Sequence, residues 1–173
     1  MWMYLSFTFD SRASLFKVDM HMITERKMGE LTATLYNTDF YGWTQQQAAL
    51  LRDEEYAELD LPNLIEEIEA MGRSEKRELA SRLQVLIMHL LKWQYQAQLR
   101  SRSWQSTMRT QRSDLARLLA DNPTLHATVP DVIAQIYPDA VLDATEETGL
   151  LAPIFPSTCP YSTTEVLDRT FWP

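Results

Sequence analysis

The chain has 173 residues, 45% of them hydrophobic, which is the size of one domain or of one domain with a tail. Four glycines argue against an all-β protein with many tight turns. A single cysteine, Cys159, excludes an internal disulfide framework and a thiolate zinc cluster. No apolar run approaches the roughly 18 residues that a membrane span needs. We therefore expect a cytoplasmic protein with no membrane partner.

The net charge of −8 is distributed unevenly along the chain. Residues 38–72 carry nine acidic residues and one basic residue, residues 73–117 carry three acidic and ten basic, and residues 118–173 carry eight acidic and one basic. Two interpretations of the basic centre remain open: acidic neighbours neutralise it through weak surface pairs, or it forms a patch for an anionic partner. We favour the first, because proteins that bind nucleic acids are usually basic overall.

Residues 1–33 differ in composition from the rest, since they hold five of the eight methionines. They begin "MWMYLSFTFD", which is apolar but has no basic residue before it, so the start of a secretory signal is missing. We predict a poorly ordered extension, produced by translation from an upstream start, with the natural beginning near Met22 or Met28. The alternative is a short strand or an interfacial arm. Residues 34–173 are predicted to form a single domain.

The segment "LYNTDFYGWTQQQAALLRDEEYAELD" predicts the first helix. Asn37 or Thr38 is the expected N-cap, and the helix should end by Glu55. Gly42 is a weak point within it, because glycine is a poor helix former. Asp60 is the expected N-cap of the next helix.

The clearest pattern in the chain is a row of mainly apolar side chains that recurs with the helical period. Its members span 29 residues in eight steps, about 3.6 residues per step. They are Leu64, Ile68, Met71, Glu75, Leu79, Leu83, Leu86, Leu90 and Trp93.

We predict one helix from Leu61 to about Ala97, with a bend at Gly72. A break at "MGRS", with Ser74 as a new cap, is the alternative, and the unbroken phase argues against it.

A third helix is predicted to follow the long one. Ser101 or Ser103 is expected to cap it. Its apolar positions are Trp104, Met108, Leu115, Leu118 and Leu119. The pair Asn122 and Pro123 marks its end and the beginning of a short turn.

Residues 130–148 predict a fourth helix, closed by Gly149, in which Pro138 should produce a kink or a split. The segment "PIFPSTCPYSTTEVLD" predicts an irregular, proline-rich C-terminal strap. Within it, Ser162 and Glu165 have the spacing of a capping box that opens a last short helix. No alternating strand pattern competes from residue 35 onward. We therefore predict an all-α helical bundle built around one long central helix, residues 61–97.

The second half of the long helix carries polar side chains along its apolar stripe. Steps of seven from Glu75 reach Arg82, His89 and Gln96, and Glu78 lies four residues before Arg82, which favours an ion pair. Three interpretations remain open: the row pairs with polar groups of a facing helix, it lines a groove for a ligand or partner, or it holds a metal. We favour the first. The candidates for a ligand or partner groove are Glu75, Glu78, Arg82, His89, Lys92, Trp93 and Gln96.

Signals for catalysis are weak. The chain has three histidines and no H-x-x-x-H or E-x-x-H pair, no phosphate-binding glycine loop and no G-x-S-x-G motif. Cys159 precedes a proline and is more often an inert buried thiol than a nucleophile in such a setting. We assign no catalytic residue, no metal ligand and no cofactor, and we favour a protein that is not an enzyme.

Several motifs, in order along the chain, resemble the domain of unknown function 29 family, a group of bacterial proteins that is abundant in cyanobacteria. They are "LYNTDFYGWTQQQAALLR", "LDLPNLIEEIEAMGRSEKRELASRL", "HLLKWQYQ", "RSRSW" and "FPSTCPY". The resemblance covers about Leu35 to Pro173 and leaves residues 1–33 outside. It implies an all-α fold but no catalytic role, because the family has no assigned activity. Pro138 stands where the resemblance implies a helix-compatible residue.

Three hypotheses for function follow. The first, which we favour, is a non-enzymatic helical interaction protein that binds a protein partner or itself along the long helix. The second is a nucleic-acid-associated regulatory or antitoxin-like module. Its candidates for contact with the anionic partner are Arg100, Arg102, Arg109, Arg112 and Arg117. The third is an enzyme or metal site at Glu75, Arg82 and His89.

Overall fold

The computed structural model describes residues 35–173, and within that range every regular element is helical. The α-helices are α1 (Phe40–Arg52), α2 (Leu61–Tyr95), α3 (Arg102–Asp121), α4 (Val129–Thr148) and α5 (Thr163–Leu167). Short 3₁₀ segments connect them at Tyr56–Glu58, Ala97–Leu99, Pro123–Thr128 and Ala152–Ile154. The predicted all-α fold is confirmed. The expectations for residues 1–33 lie outside the described residues.

Helix α1 begins one or two residues later than predicted, because Asp39 is its N-cap rather than Thr38 or Asn37. Residues 35–38 are already helical, and the chain leaves helical geometry at Asp39 before it enters α1. The Gly42 backbone N–H donates to Asp39 Oδ1 at 2.9 Å. A side chain at Gly42 would meet the same carboxylate at 2.5 Å, so the glycine makes room for the cap that starts the helix.

Helix α2 is one uninterrupted helix of 35 residues, as predicted, and it ends two residues before Ala97. Gly72 interrupts neither its hydrogen bonding nor its phase, so the alternative break at Ser74 is wrong. Burial does not follow the predicted stripe along the whole helix. Ile68 and Met71 are 66% and 70% exposed, and the stripe is buried only from Leu79 onward. The period shows which side chains share a face, whereas burial also requires something to cover that face.

Contacts group the chain into two compact units, Met1–Glu69 and Ala70–Pro173, and the single domain expected for residues 34–173 remains a prediction. In the described part of the first unit, Trp43, Gln47 and Asp60 are buried together. Trp43 Nε1 donates to Asp60 Oδ2 at 3.2 Å, and the Asp60 backbone N–H donates to Gln47 Oε1 at 2.8 Å. These bonds hold α1 against the beginning of α2.

The second unit has a closed apolar core. Fully buried side chains of α2, α3, α4 and the C-terminal segment build it: Leu79, Leu83, Leu86, Leu90, Met108, Leu115, Val129, Ala140 and Val166.

Ser101 caps α3, since its hydroxyl accepts from the Trp104 backbone N–H at 3.2 Å. Of the two predicted serines, Ser101 therefore takes the role.

Of the kink or split predicted at Pro138, the split is wrong, because helix α4 continues through this residue, and the kink stays a prediction. Pro138 cannot donate to the carbonyl of Ala134, and both residues are exposed, so water can satisfy that carbonyl. Gly149 ends the helix with a φ of 70°, a left-handed conformation in which its N–H bonds to Thr145. The following strap, residues 150–173, contains the predicted capping box of Ser162 and Glu165.

Candidate functional site

The first half of the polar row on α2, from Glu75 to Arg82, is paired with α3 and its C-cap, Asn122. Asn122 Nδ2 donates to Glu75 Oε2 at 3.2 Å. Arg82 donates from Nη1 to Asp114 at 2.6 Å and from Nε to Glu78 at 2.8 Å, the ion pair expected from the spacing. The bond to Glu78 and the charge of Asp114 outweigh partial burial and raise the pKa of Arg82 above its ordinary value. These contacts tie the two helices together.

The end of the row, Lys92 and Gln96, contacts α4. Gln96 Nε2 donates to the Thr148 carbonyl at 3.1 Å. Lys92 is 3% exposed, forms an ion pair with Glu147, and places Nζ 4.4 Å from the ring centroid of Trp104. A buried ammonium group is retained here because an opposite charge and an aromatic face both compensate it.

His89 lies within the same row and is also buried. Its Nδ1 lies 2.9 Å from the Val85 carbonyl, so Nδ1 carries the proton and donates. Burial lowers the pKa of His89 below its ordinary value, which favours the neutral ring. Glu75 and Glu78, by contrast, border a cavity of about 230 Å³ near Asp114 and Asn122. The groove candidates therefore lie in different surroundings.

Trp93, the remaining groove candidate, packs at the end of the row against the last residues of the chain. Its ring centroid lies 5.2 Å from that of Trp172. The Arg100 guanidinium lies 4.8 Å from the Trp93 centroid, and Arg100 Nε donates to the Trp93 carbonyl at 2.8 Å. Arg100 thus contributes to packing on the side where the strap returns to α2.

The five candidates for an anionic partner do not form one surface. Arg117 pairs with Asp114 at 3.1 Å, and Arg102 is exposed at the start of α3. Arg112 is 2% exposed, and its guanidinium donates to three carbonyls of the strap. Burial lowers its pKa, and only the neighbouring charge of Asp168 opposes this.

Two of these arginines, Arg109 and Arg112, border the same cavity as Arg169, which is not among the candidates from the sequence. Arg109, Arg112, Ser113 and Arg169 surround a cavity of about 290 Å³, which we call the arginine cavity. Arg109 and Arg112 lie three residues apart on α3, a spacing that places both on one helix face. Arg169 comes from the strap, so only the fold brings it there.

A metal centre finds no support in the part of the chain that the structure describes. Within residues 35–173, no three His, Cys, Asp or Glu side chains are placed so that they could hold a metal ion together. Glu75, Arg82 and His89 each have the separate protein partners given above. Over the same range, no helix combines the length and apolar character needed to cross a membrane.

One comparison identifies the family. The model of a family described as Domain of unknown function DUF29 matches residues 35–172, which are all but one of the described residues. The chain belongs to the DUF29 family. It matches no curated protein and no solved structure. The family description assigns no reaction, so a role for any residue in DUF29 must be argued from the geometry.

The single cysteine of this DUF29 chain borders a cavity of about 330 Å³ between α4 and the strap. The Cys159 thiol is half-buried and donates to the Tyr161 carbonyl, with Sγ and the oxygen 3.6 Å apart. Burial raises the pKa of Cys159, and it raises the pKa of Tyr137, in the same cavity, to about 12. Both groups therefore remain protonated at neutral pH, which does not favour a nucleophile.

The first unit of this DUF29 chain exposes apolar side chains on α2. Leu61, Ile65 and Ile68 follow one another at helical spacing and are 53%, 56% and 66% exposed. Glu66 and Glu69 are exposed beside them, whereas Glu67 accepts a 2.5 Å hydrogen bond from the Tyr36 hydroxyl. That bond raises the pKa of Tyr36 to about 12. We call this set, Leu61, Ile65, Glu66, Ile68 and Glu69, the acidic face.

The second unit carries a groove of the opposite character. It has a volume of about 320 Å³ and lies between α2 and α4. Its basic residues are Arg73, Lys76 and Arg77, and its other residues are Ala80, Val132, Gln135 and Ile136. We call it the basic groove. The basic charge of this region is evident from the sequence, whereas the apolar surface that accompanies it depends on the packing of α4 against α2.

Proposed function

We propose that this DUF29 protein is a non-enzymatic helical interaction protein that associates with a second copy of itself. The acidic face of one copy docks in the basic groove of the other. The observation that carries the proposal is the exposed row Leu61, Ile65 and Ile68, bordered by acidic residues, in a chain that also offers a complementary basic groove. A cytoplasmic location belongs to the same proposal.

Burial of the exposed apolar side chains contributes a free energy comparable with the cost of association. Full burial of a leucine or isoleucine side chain stabilises by about 1.5–3 kcal/mol. Because the three side chains are between 53% and 66% exposed, covering them gives about 3–5 kcal/mol per acidic face. A pair of copies with two such contacts gains about 6–10 kcal/mol, against an association cost of about 4–15 kcal/mol. We expect a weak dimer, in the micromolar range or above.

The complementary charges of the acidic face and the basic groove support a second copy as the partner that docks in the groove. Residues 38–72 carry nine acidic residues and one basic residue, and residues 73–117 carry ten basic and three acidic. Two copies of a chain with this distribution can therefore place opposite charges opposite each other. Complementary charge directs which surfaces meet and accelerates their encounter, and salt weakens it.

Sedimentation velocity over a range of protein concentrations tests the proposal. We expect a monomer–dimer equilibrium whose dissociation constant rises with salt. Ile68→Asp should weaken it at least about tenfold, since it removes apolar contact and adds a charge to it. Leu142→Asp, at a leucine on α4 that is 58% exposed and lies outside the basic groove, is the matched control and should leave the equilibrium unchanged. A monomer at every concentration, or equal effects of the two substitutions, would overturn the proposal.

A further inference from the structure

The arginine cavity lies in the second unit and shares no residue with the basic groove. It is bordered by Arg109, Arg112 and Ser113 of α3 and by Arg169 of the strap. Three guanidinium groups and one hydroxyl therefore border a space of about 290 Å³, and no carboxylate of residues 35–173 borders it. Three positive charges thus lie around one cavity in a chain whose net charge is −8.

Arg112 is the buried member of the group. Its Nε donates to the Val166 carbonyl at 2.9 Å, its Nη1 to Phe171 at 2.9 Å, and its Nη2 to Glu165 at 3.4 Å. All three acceptors are neutral, and a guanidinium has five N–H donors, so two donors remain. A buried cation whose hydrogen-bond acceptors are all neutral favours the arrival of an anion that bonds to it directly.

The carboxylates of the two neighbouring acidic residues, Glu165 and Asp168, accept hydrogen bonds from groups other than the arginines. Asp168 attracts Arg112 electrostatically, but its Oδ1 accepts from the backbone N–H and the hydroxyl of Thr170, both at 2.8 Å. The Glu165 carboxylate accepts from the backbone N–H and hydroxyl of Ser162 in the capping box. Within residues 35–173, no carboxylate forms an ion pair with Arg109, Arg112 or Arg169.

Trp172 orients two of the arginines. The Arg109 and Arg112 guanidinium groups lie 5.9 Å and 5.8 Å from its ring centroid. Contact with an aromatic face restricts a guanidinium without using its hydrogen-bond donors. The donors therefore stay available, and less rotational freedom is lost when a ligand binds.

We propose that the arginine cavity binds a terminal phosphate group, either as free inorganic phosphate or as a small phosphomonoester. Planar guanidinium groups match the oxygens of a phosphate with paired hydrogen bonds. Three cations favour the dianion of a terminal phosphate over the singly charged diester of a nucleic-acid backbone. The small volume and the buried position of Arg112 favour the same choice, because a diester would bring sugars on both sides.

Calorimetric titration of the full chain tests the site with three ligands: inorganic phosphate, glycerol phosphate, and a single-stranded oligonucleotide without terminal phosphates. Sodium chloride at matched ionic strength controls for screening. We expect saturable binding of one or both of the first two and much weaker binding of the third. Saturation by inorganic phosphate alone would identify the free ion as the ligand, and tighter binding of glycerol phosphate would identify a phosphomonoester.

Substitutions at the exposed rim avoid the risk that loss of Arg112 unfolds the strap. Arg109→Gln and Arg169→Gln should each weaken phosphate binding about tenfold, the effect of losing one charge-assisted contact. Arg102→Gln is the matched control, since Arg102 is an exposed arginine of the same helix that does not border the cavity, and it should bind like the parent. Binding of the oligonucleotide alone, no saturable phosphate binding, or equal effects at all three arginines would overturn the site. Self-association is measured separately and does not decide this result.

Discussion

Replacing Arg112 with methionine should loosen the attachment of the strap to α3. The guanidinium bonds to the carbonyls of Glu165, Val166 and Phe171, and methionine keeps only the apolar stem. Hydrogen bonds from a charged group contribute about 1.5–3 kcal/mol each, and the longest of the three, at 3.4 Å, contributes least. Removing the buried charge offsets part of the loss, because burying an ion costs several kcal/mol.

We therefore expect Arg112→Met to lower the free energy of unfolding by about 2–4 kcal/mol. For a chain of this size, the melting temperature should fall by roughly 5–15 °C. Urea denaturation in phosphate-free buffer measures the first quantity, and hydrogen exchange of the amides in residues 163–171 locates the change. Arg102→Met, an exposed position on the same helix, should change stability by less than about 0.5 kcal/mol. Equal losses in the two variants, or unchanged protection of the strap amides, would refute the reasoning.

Three further predictions concern buried groups. Burial lowers the pKa of His89 in the folded state, so its neutral form stabilises the fold above about pH 6.5 and this contribution is lost as the pH falls. In urea titrations, His89→Gln should therefore lose less stability than the parent between about pH 7.5 and about pH 5.5, and equal losses would contradict the assignment. Leu86→Ala, at a fully buried position, should cost about 3–5 kcal/mol, whereas Leu142→Ala should cost less than about 0.5 kcal/mol, and similar values would be inconsistent with the described core. Because burial raises the pKa of Cys159, a thiol reagent should label the folded chain at least about tenfold more slowly than the urea-unfolded chain, and similar rates would count against a protected thiol.

Much of the fold of residues 35–173 could be predicted from local chemistry. The phase from Leu64 to Trp93 predicts α2, because only an uninterrupted helix keeps side chains eight steps apart on one face. Ser162 and Glu165 have the spacing of a capping box and form one. The first cap was placed wrongly because Asn37, Thr38 and Asp39 are all good N-caps, and the sequence does not show which of them leaves helical geometry.

The surfaces depended on tertiary structure and could be predicted only in part. The helical period groups Leu64, Ile68 and Met71 with the buried leucines, but what covers each part of a face depends on distant segments. The arginine cavity combines Arg109 and Arg112, which share a face of α3, with Arg169, which lies more than fifty residues later in the strap. No local pattern relates Arg169 to α3.

Pairing of charge-swapped copies tests most directly whether two copies meet through the acidic face and the basic groove. One variant carries Glu66→Lys with Glu69→Lys, and the other carries Lys76→Glu with Arg77→Glu. Each alone should be mainly monomeric, because like charges then meet at both contacts. Native mass spectrometry of the equimolar mixture should show a heterodimer more abundant than either homodimer. A mixture that contains only monomers, when the parent chain also remains monomeric, would contradict the claim, as would two variants that each dimerise as well as the parent.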